Sequence, residues 1–154
     1  MPPIDSRIWG PHVWNFIHTL VEKIKDDMYK DIHEKVFYYI KQICYNLSCP
    51  VCRRHATIYI NKLNNDNIKT KEEFIDVLFD FHNFVNLGKN KSIFLKSDLS
   101  IYKNESLQKA YDNFLTYYKP IFYLRENGPV YKKLQLVIEF EKWFEENKSS
   151  FDFL

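Results

Sequence analysis

The chain has 154 residues, of which 45% are apolar, and a formal net charge of only +2 at pH 7. Its basic residues are interspersed with acidic ones, so the charge pattern excludes an electrostatic basis for binding nucleic acid or a membrane surface. No run of about 18 apolar residues is present, which excludes a spanning helix, and residues 1–7 lack the basic start and apolar core of a signal peptide.

Helical spacing dominates the first part of the chain, and the whole sequence has only 3 glycines. Apolar residues recur at the three- and four-residue spacing of a buried helix face over about residues 11–25 and about residues 30–47. We expect Ser48 to cap a third helix, which covers about residues 49–63.

The second part of the chain predicts further helices. Thr70 and Glu73 form a capping-box pattern that begins a fourth helix, for which Gly88 is the expected stop. Residues 89–103 lack a regular spacing of apolar residues, and a fifth helix covers about residues 105–118. We expect residues 120–128 to form a connection, which leads to a last helix from residue 129 to about 146. These elements favour an all-α fold, a four-helix bundle with a short fifth helix. We assign residues 1–118 to one domain and residues 119–154 to a C-terminal helical extension packed on it.

Two cysteines separated by two residues lie at the predicted start of the third helix, in the run Cys49-Pro50-Val51-Cys52. Such a pair can close a small, readily exchanged disulfide. A thioredoxin-type motif would need a strand before it and a βαβ context, and neither is predicted here. Backbone N–H groups and the macrodipole at a helix N-terminus favour a thiolate, and Arg53 adds positive potential. The pair therefore indicates either a helical redox protein or a metal site.

Two more segments contain side chains at helical spacing that are suited to a polar or planar ligand. Trp14 and His18 lie one turn apart in the first predicted helix, and His82 and Asn86 lie one turn apart in the fourth. Taken singly, the first pair is also compatible with an aromatic core stripe, and the second with a solvated helix end.

The three segments together, in this order, resemble the FAD-linked sulfhydryl oxidases of the Erv/ALR type. These share a WGPxxWxxxH opening, a CxxCRxH centre and an HNxVNxxLxK helix end, and the resemblance covers about residues 7–115. The third motif departs from the pattern, because the two-residue spacer after Asn86 is missing and the lysine is either Lys89 or Lys91. The CPxCRRHA sequence is most similar to the corresponding motif of the short members found in large DNA viruses.

The resemblance implies a helical bundle that cups FAD, commonly as a homodimer, and an enzyme that oxidises dithiols to disulfides with O2 and releases H2O2. It implies that Cys49 is the outward sulfur, which receives the substrate, and that Cys52 lies against the flavin. The expected FAD contacts come from all three motifs: Gly10, Trp14, His18, His55, His82, Asn83, Val85, Asn86 and Lys89.

The same resemblance implies a protein dithiol substrate, such as a thioredoxin-like or CxxC-containing relay protein. From the charge pattern and the hydropathy we expect no nucleic-acid partner and no membrane span, and we expect no metal. The resemblance places the chain in the host cytoplasm and, for a viral protein, in the virion. Two alternatives remain at this point. One is a structural zinc site built from Cys44, Cys49, Cys52 and either His55 or His82. The other is a helical interaction module without FAD.

Overall fold

The computed structural model describes residues 6–118 and 129–153, and these residues form an all-α fold. The helices are α1 (Ser6–Glu22), α2 (Tyr29–Tyr45), α3 (Pro50–Ile60), α4 (Lys71–Gly88), α5 (Ser100–Asn104), α6 (Leu107–Tyr118) and α7 (Pro129–Glu146). Helix α1 packs on α4, α5 and α6, while α2 packs on α3 and α7, and α3 on α4. The all-α prediction is confirmed, and the connection predicted over residues 120–128 lies outside the described residues.

Helix α1 begins five positions earlier than the sequence spacing predicted, at Ser6 rather than residue 11. Pro11 lies inside it, where proline removes a helical N–H. The helix continues through this point because Trp9 extends the buried stripe of Val13 and Phe16, and its side chain is only 6% exposed. Burial of a tryptophan in the core outweighs the poor helix propensity of the Gly-Pro pair.

Helix α4 starts and stops as the sequence predicted. The Thr70 side chain accepts a hydrogen bond from the Glu73 N–H at 3.1 Å, and the helix ends at Gly88. Gly88 has a packing role as well, since a Cβ placed there would lie 3.1 Å from the ring of His55 on α3. The close approach of these two helices therefore favours glycine at position 88, since any side chain there would press on the His55 ring.

The core is rich in aromatic rings, and α7 supplies several of them. Phe16 of α1 stacks on Phe114 of α6 at 4.5 Å between ring centroids, and Phe140 and Phe144 of α7 meet it edge-on at 5.8 and 6.4 Å. Large aromatic side chains dominate core energetics because each buries a large apolar area. Helix α7 therefore shares one core with α1 and α6, and the domain division at residue 118 stays a prediction.

The C-terminal residues also make backbone hydrogen bonds to the end of α1. The N–H of Lys25 donates to the Ser150 carbonyl at 2.9 Å, and the N–H of Asp152 donates to the Lys23 carbonyl at 2.7 Å. These two bonds flank an isolated antiparallel bridge between Ile24 and Phe151. In the described part of the chain, no helix combines the length and the apolar character needed to cross a membrane.

Candidate functional site

The two cysteines of the CxxC motif form a disulfide at the N-terminus of α3, with their Cα atoms 5.2 Å apart. Cys49 is the N-cap residue, and its sulfur accepts a hydrogen bond from the Cys52 N–H at 3.2 Å. The expectation that Ser48 caps this helix was wrong, because the chain turns one residue later and Pro50 takes the first helical position. The Cys52 N–H therefore points at Cys49 Sγ, and together with the positive end of the helix it favours a negative charge there.

The two sulfur-bearing residues differ in exposure. Cys52 is buried, with 4% of its surface exposed, whereas Cys49 is partly exposed and is flanked by exposed Ser48 and Pro50. A thiolate from outside can therefore reach Cys49 more readily than Cys52. The arrangement gives the disulfide one outward and one inward sulfur.

The inward sulfur, Cys52, belongs to the wall of a cavity between α1, α2, α3 and α4. Most of its lining is apolar, and it consists of Trp9, Gly10, Val13, Trp14, Ile17, Cys44, Leu47, Cys52, Ala56, Phe81, Val85 and Lys89. A second, more open cleft of about 400 Å³ shares Gly10, Trp14, Val85 and Lys89 with the first. The two spaces therefore adjoin each other at these four residues, and we call them together the groove. The outer cleft is in the size range of ligand sites.

The outer cleft has a layered aromatic wall. The rings of Trp14 and His82 stack at 4.0 Å with an interplanar angle of 7°, and Phe94 stacks on His82 at 5.0 Å. Behind them, His18 stacks on Tyr102 at 4.5 Å and 9°. Flat, ordered rings of this kind form a surface that suits a planar aromatic ligand.

His18 and His82 form a neutral hydrogen-bonded pair within this wall. Their Nε2 and Nδ1 atoms lie 3.0 Å apart, so one ring donates and the other accepts. Burial and, to a smaller extent, the nearby His82 lower the pKa of His18 to about 3. Burial, followed by the charge of Lys91, lowers the pKa of His82 to about 4. The wall therefore carries no histidine charge at neutral pH.

We expect the folded protein to lose stability in acid because of this pair. An unfolded histidine takes up a proton near pH 6.5, while the folded His18 and His82 stay neutral down to about 3 and about 4. As the pH falls, the unfolded chain thus binds more protons than the folded protein does. The contribution of this pair to the free energy of unfolding is therefore complete above pH 6.5 and is lost as the pH falls toward about 4. Urea unfolding at a series of pH values checks this, and replacing His18 by glutamine should flatten the profile. A wild-type profile without a fall in this window would contradict it.

His55 contains a buried nitrogen without a partner. Among the described residues, nothing accepts from or donates to its Nδ1 atom, and its ring packs against Gly88. A buried polar atom without a hydrogen bond costs about 1–3 kcal/mol. The cost disappears if a bound group supplies a hydrogen bond, which makes His55 a candidate ligand contact although it lines neither cavity.

Asn83 is directed toward the backbone rather than toward the groove. Its Nδ2 donates to the Phe94 carbonyl at 2.9 Å, and its Oδ1 accepts from the Phe94 N–H at 2.7 Å. Because Phe94 stacks on His82, Asn83 supports the aromatic wall from behind. In this geometry Asn83 therefore positions Phe94, and the ligand contact predicted for Asn83 is indirect.

The other predicted positions line the groove. Gly10, Trp14, Val85 and Lys89 border both spaces, while His82 and Asn86 border the outer one. Lys91 borders the outer cleft alone, so Lys89 reaches further toward the disulfide. His18 lies behind His82 and is 3% exposed.

Tyr102 is a groove residue that the sequence analysis missed. It lies on the short helix α5, is 5% exposed, and borders the outer cleft while stacking on His18. Residues 89–103 offered no signal for it, since a five-residue helix is too short to display an apolar period.

The geometry also bears on the zinc alternative. Within residues 6–118 and 129–153, no three His, Cys, Asp or Glu side chains are grouped so as to hold a metal ion. Cys49 and Cys52 are bonded to each other, and Cys44 is a buried free thiol whose pKa burial raises to about 12. A protonated thiol and an oxidised pair are poor zinc ligands, because the metal binds thiolates.

Comparison with known proteins identifies the family of the chain that carries this groove and disulfide. Residues 11–112, which include all three motifs except the first positions of the first one, match the Erv1/Alr family. The chain belongs to the Erv1/Alr family. No solved structure matches it. The family match ends within α6, so α7 and the C-terminal residues lie outside the Erv1/Alr region.

Several viral proteins are similar to this Erv1/Alr chain. The FAD-linked sulfhydryl oxidase of African swine fever virus, isolate Pig/Kenya, is 31% identical over 103 residues, or 66% of this chain and 85% of the relative. The same protein from isolate Tick/Malawi is 34% identical over 97 residues, or 62% and 77% of the two chains. Protein 347L of Invertebrate iridescent virus 6 is 31% identical over 97 residues, or 58% and 87%.

Proposed function

We propose that the chain is an FAD-dependent sulfhydryl oxidase, which forms disulfide bonds in protein substrates and passes the electrons to O2 to give H2O2. One observation carries the proposal: the buried Cys52 of an exchangeable disulfide lines a cavity that adjoins a cleft with a neutral aromatic wall. Membership of the Erv1/Alr family and relatives named FAD-linked sulfhydryl oxidase support it.

The residues of the groove fit FAD. A planar ring system can contact the stacked Trp14 and His82 rings, and the unpartnered Nδ1 of His55 can bond to a polar group of the ligand. A Cβ atom at Gly10 would have no neighbour within 4 Å, so open space lies along this side of α1. We propose that His18 and Asn83 position the aromatic wall against which FAD binds. All nine predicted positions then hold FAD, directly or through this wall: Gly10, Trp14, His18, His55, His82, Asn83, Val85, Asn86 and Lys89.

FAD supplies the two-electron acceptor and the reaction with O2, which protein side chains cannot provide. The chain itself performs the thiol exchange. A substrate thiolate attacks Cys49 Sγ, the Cys49–Cys52 bond breaks, and Cys52 leaves as a thiolate that keeps the electron pair. The second substrate thiolate then attacks the substrate sulfur, the substrate disulfide forms, and Cys49 leaves as a thiolate.

Local structure favours the Cys49 leaving group and shields the Cys52 sulfur. The Cys52 N–H that donates to Cys49 Sγ and the positive end of α3 stabilise the Cys49 thiolate. Arg53, whose Nη1 donates to the Leu47 carbonyl at 2.9 Å, adds a cation close to the motif. The Cys52 thiolate forms in the groove wall, where the apolar lining limits access of other thiols.

We propose protein dithiols as substrates, in particular a thioredoxin-like or CxxC-containing relay protein, because an exposed edge beside Cys49 can admit a chain segment. Pro50 and Val51 are exposed there, Val51 by 48%. We also propose a homodimer, on the basis of the family resemblance. The viral relatives support a viral origin. We propose that the protein acts in the host cytoplasm and is carried in the virion.

The test is a visible absorption spectrum of the purified protein before and after addition of dithiothreitol in air. An oxidised-flavin band near about 450 nm should bleach and then recover as oxygen is consumed. Oxygen consumption and peroxide release are measured in the same sample. A folded, colourless protein that consumes no oxygen, even after incubation with FAD, would overturn the proposal.

A further inference from the structure

Helix α7 places a buried cation next to the CxxC motif. Lys133 is only 7% exposed, its Nζ donates to Ser48 Oγ at 2.8 Å, and it lies 4.0 Å from the centroid of the Tyr118 ring. Ser48 directly precedes Cys49 in the chain. The ammonium therefore contacts the residue adjoining the exchangeable disulfide, from a helix that lies beyond the Erv1/Alr match.

The described contacts of Lys133 are with neutral groups, the Ser48 hydroxyl and the Tyr118 ring. Among the ion pairs between described residues, none involves Lys133. Tyr118, whose hydroxyl donates to the Ile43 carbonyl at 2.8 Å, has a pKa that burial raises well above its ordinary value. Cys44 of α2 likewise stays a neutral thiol, and Arg53 of α3 is a further cation.

A buried lysine is costly, so its position requires an explanation. Moving an ammonium out of water costs several kcal/mol unless hydrogen bonds and charges compensate. One hydroxyl and one aromatic face compensate only in part here. A negative charge that forms nearby during turnover would complete the compensation, and Cys49, the residue after Ser48, acquires one when its bond to the substrate breaks.

We propose that Lys133 is a positioning residue for thiol exchange, which holds Ser48 and stabilises the Cys49 thiolate each time this sulfur leaves. This inference rests on the proposed function. In the step concerned, the second substrate thiolate attacks the substrate sulfur of the mixed disulfide, the new substrate S–S bond forms, and Cys49 departs with the electron pair of the broken bond. No additional oxidant or reductant is needed.

The pKa of Lys133 sets the pH range of this effect. Burial lowers that pKa to about 8. The ammonium is therefore present at neutral pH, and its charge is lost as the pH rises above about 8. The thiolate-stabilising effect should disappear in the same range.

The test compares Lys133→Met with Lys133→Arg, both in a Cys52→Ala background, so that Cys49 is the accessible thiol. The alkylation rate of Cys49 by iodoacetamide is followed against pH by mass spectrometry. Lys133→Met keeps an apolar stem on Tyr118 and removes the charge, so the Cys49 pKa should rise by about one unit and alkylation near neutral pH should slow about tenfold. Lys133→Arg should retain the low pKa.

Two further measurements separate a charge effect from an anchoring effect. Ser48→Ala removes the hydroxyl and leaves the ammonium, so less than half of the pKa rise is expected. In the full enzyme with both cysteines, Lys133→Met should lower kcat for dithiol oxidation by about tenfold. Identical alkylation profiles for Lys133→Met and its parent, with a lower melting temperature, would show a structural anchor only and overturn the inference.

Should Lys133→Met fail to fold, Lys133→Gln keeps a polar head group without charge and gives the same comparison. Alkylation requires neither FAD nor oxygen. A pKa rise in a colourless, inactive protein would therefore count against the oxidase while supporting the role of Lys133, whereas an active oxidase with an unchanged Cys49 pKa would sink this inference alone.

Discussion

Replacing Cys52 with serine is expected to abolish dithiol-dependent oxygen consumption while the protein stays yellow. The serine oxygen cannot form or break the disulfide, so a substrate bound to Cys49 has no inner sulfur through which its electrons can continue. FAD should stay bound, because the substitution removes only a small part of the groove wall. An oxygen electrode with a dithiol substrate measures turnover, and the flavin absorbance measures occupancy.

Cys44→Ala is the matched control for this variant. Cys44 is buried in the same region but takes no part in the disulfide, and its raised pKa of about 12 keeps it a thiol at neutral pH. The variant should therefore still oxidise dithiols. Dithiol oxidation retained by Cys52→Ser, or lost equally in both variants, would contradict the roles assigned to the cysteines.

Replacing His82 with alanine is expected to weaken FAD binding by about 5- to 150-fold, or about 1–3 kcal/mol. The change removes a ring stacked on Trp14 and leaves His18 Nε2 buried without its partner. It touches neither cysteine, so the disulfide should still form. The ratio of flavin to protein absorbance after gel filtration, together with titration of the apoprotein with FAD, measures the loss.

His12→Ala provides the comparison for this loss. His12 is also a histidine stacked on an aromatic ring, with 4.1 Å between its ring and that of Tyr117, and it borders neither part of the groove. FAD occupancy should equal that of the wild type. Full FAD occupancy in His82→Ala, or an equal loss in His12→Ala, would place the flavin elsewhere.

Helix α4 and helix α1 show how far local sequence patterns predict this fold. The start of α4 was predictable because a Thr70 cap depends on atoms only three residues apart. The start of α1 was not, because Trp9 continues the helix through Pro11 by packing into a core that local spacing does not describe. The cap of α3 was also misplaced by one residue, since Ser48 bonds to Lys133 in place of the helix end.

The candidate site was likewise predictable from the sequence only in part. Three ordered motifs predicted which segments meet at the groove, but not how individual side chains are used. Asn83 and His82 are neighbours in one motif, yet Asn83 bonds to the backbone of Phe94 while His82 stacks on Trp14. Tyr102 belongs to no motif and still completes the wall.

The sequence by itself determined the helical class, the family and the chemistry of the Cys49–Cys52 pair, because helix caps, apolar periods and a CxxC spacing each involve residues within a few positions. Only the tertiary structure decided how His18 meets His82 across 64 residues and how Lys133 reaches Ser48 across 85. Burial and the pKa values that follow from it depend on what packs around a group, and such neighbours are brought together only when the helices assemble.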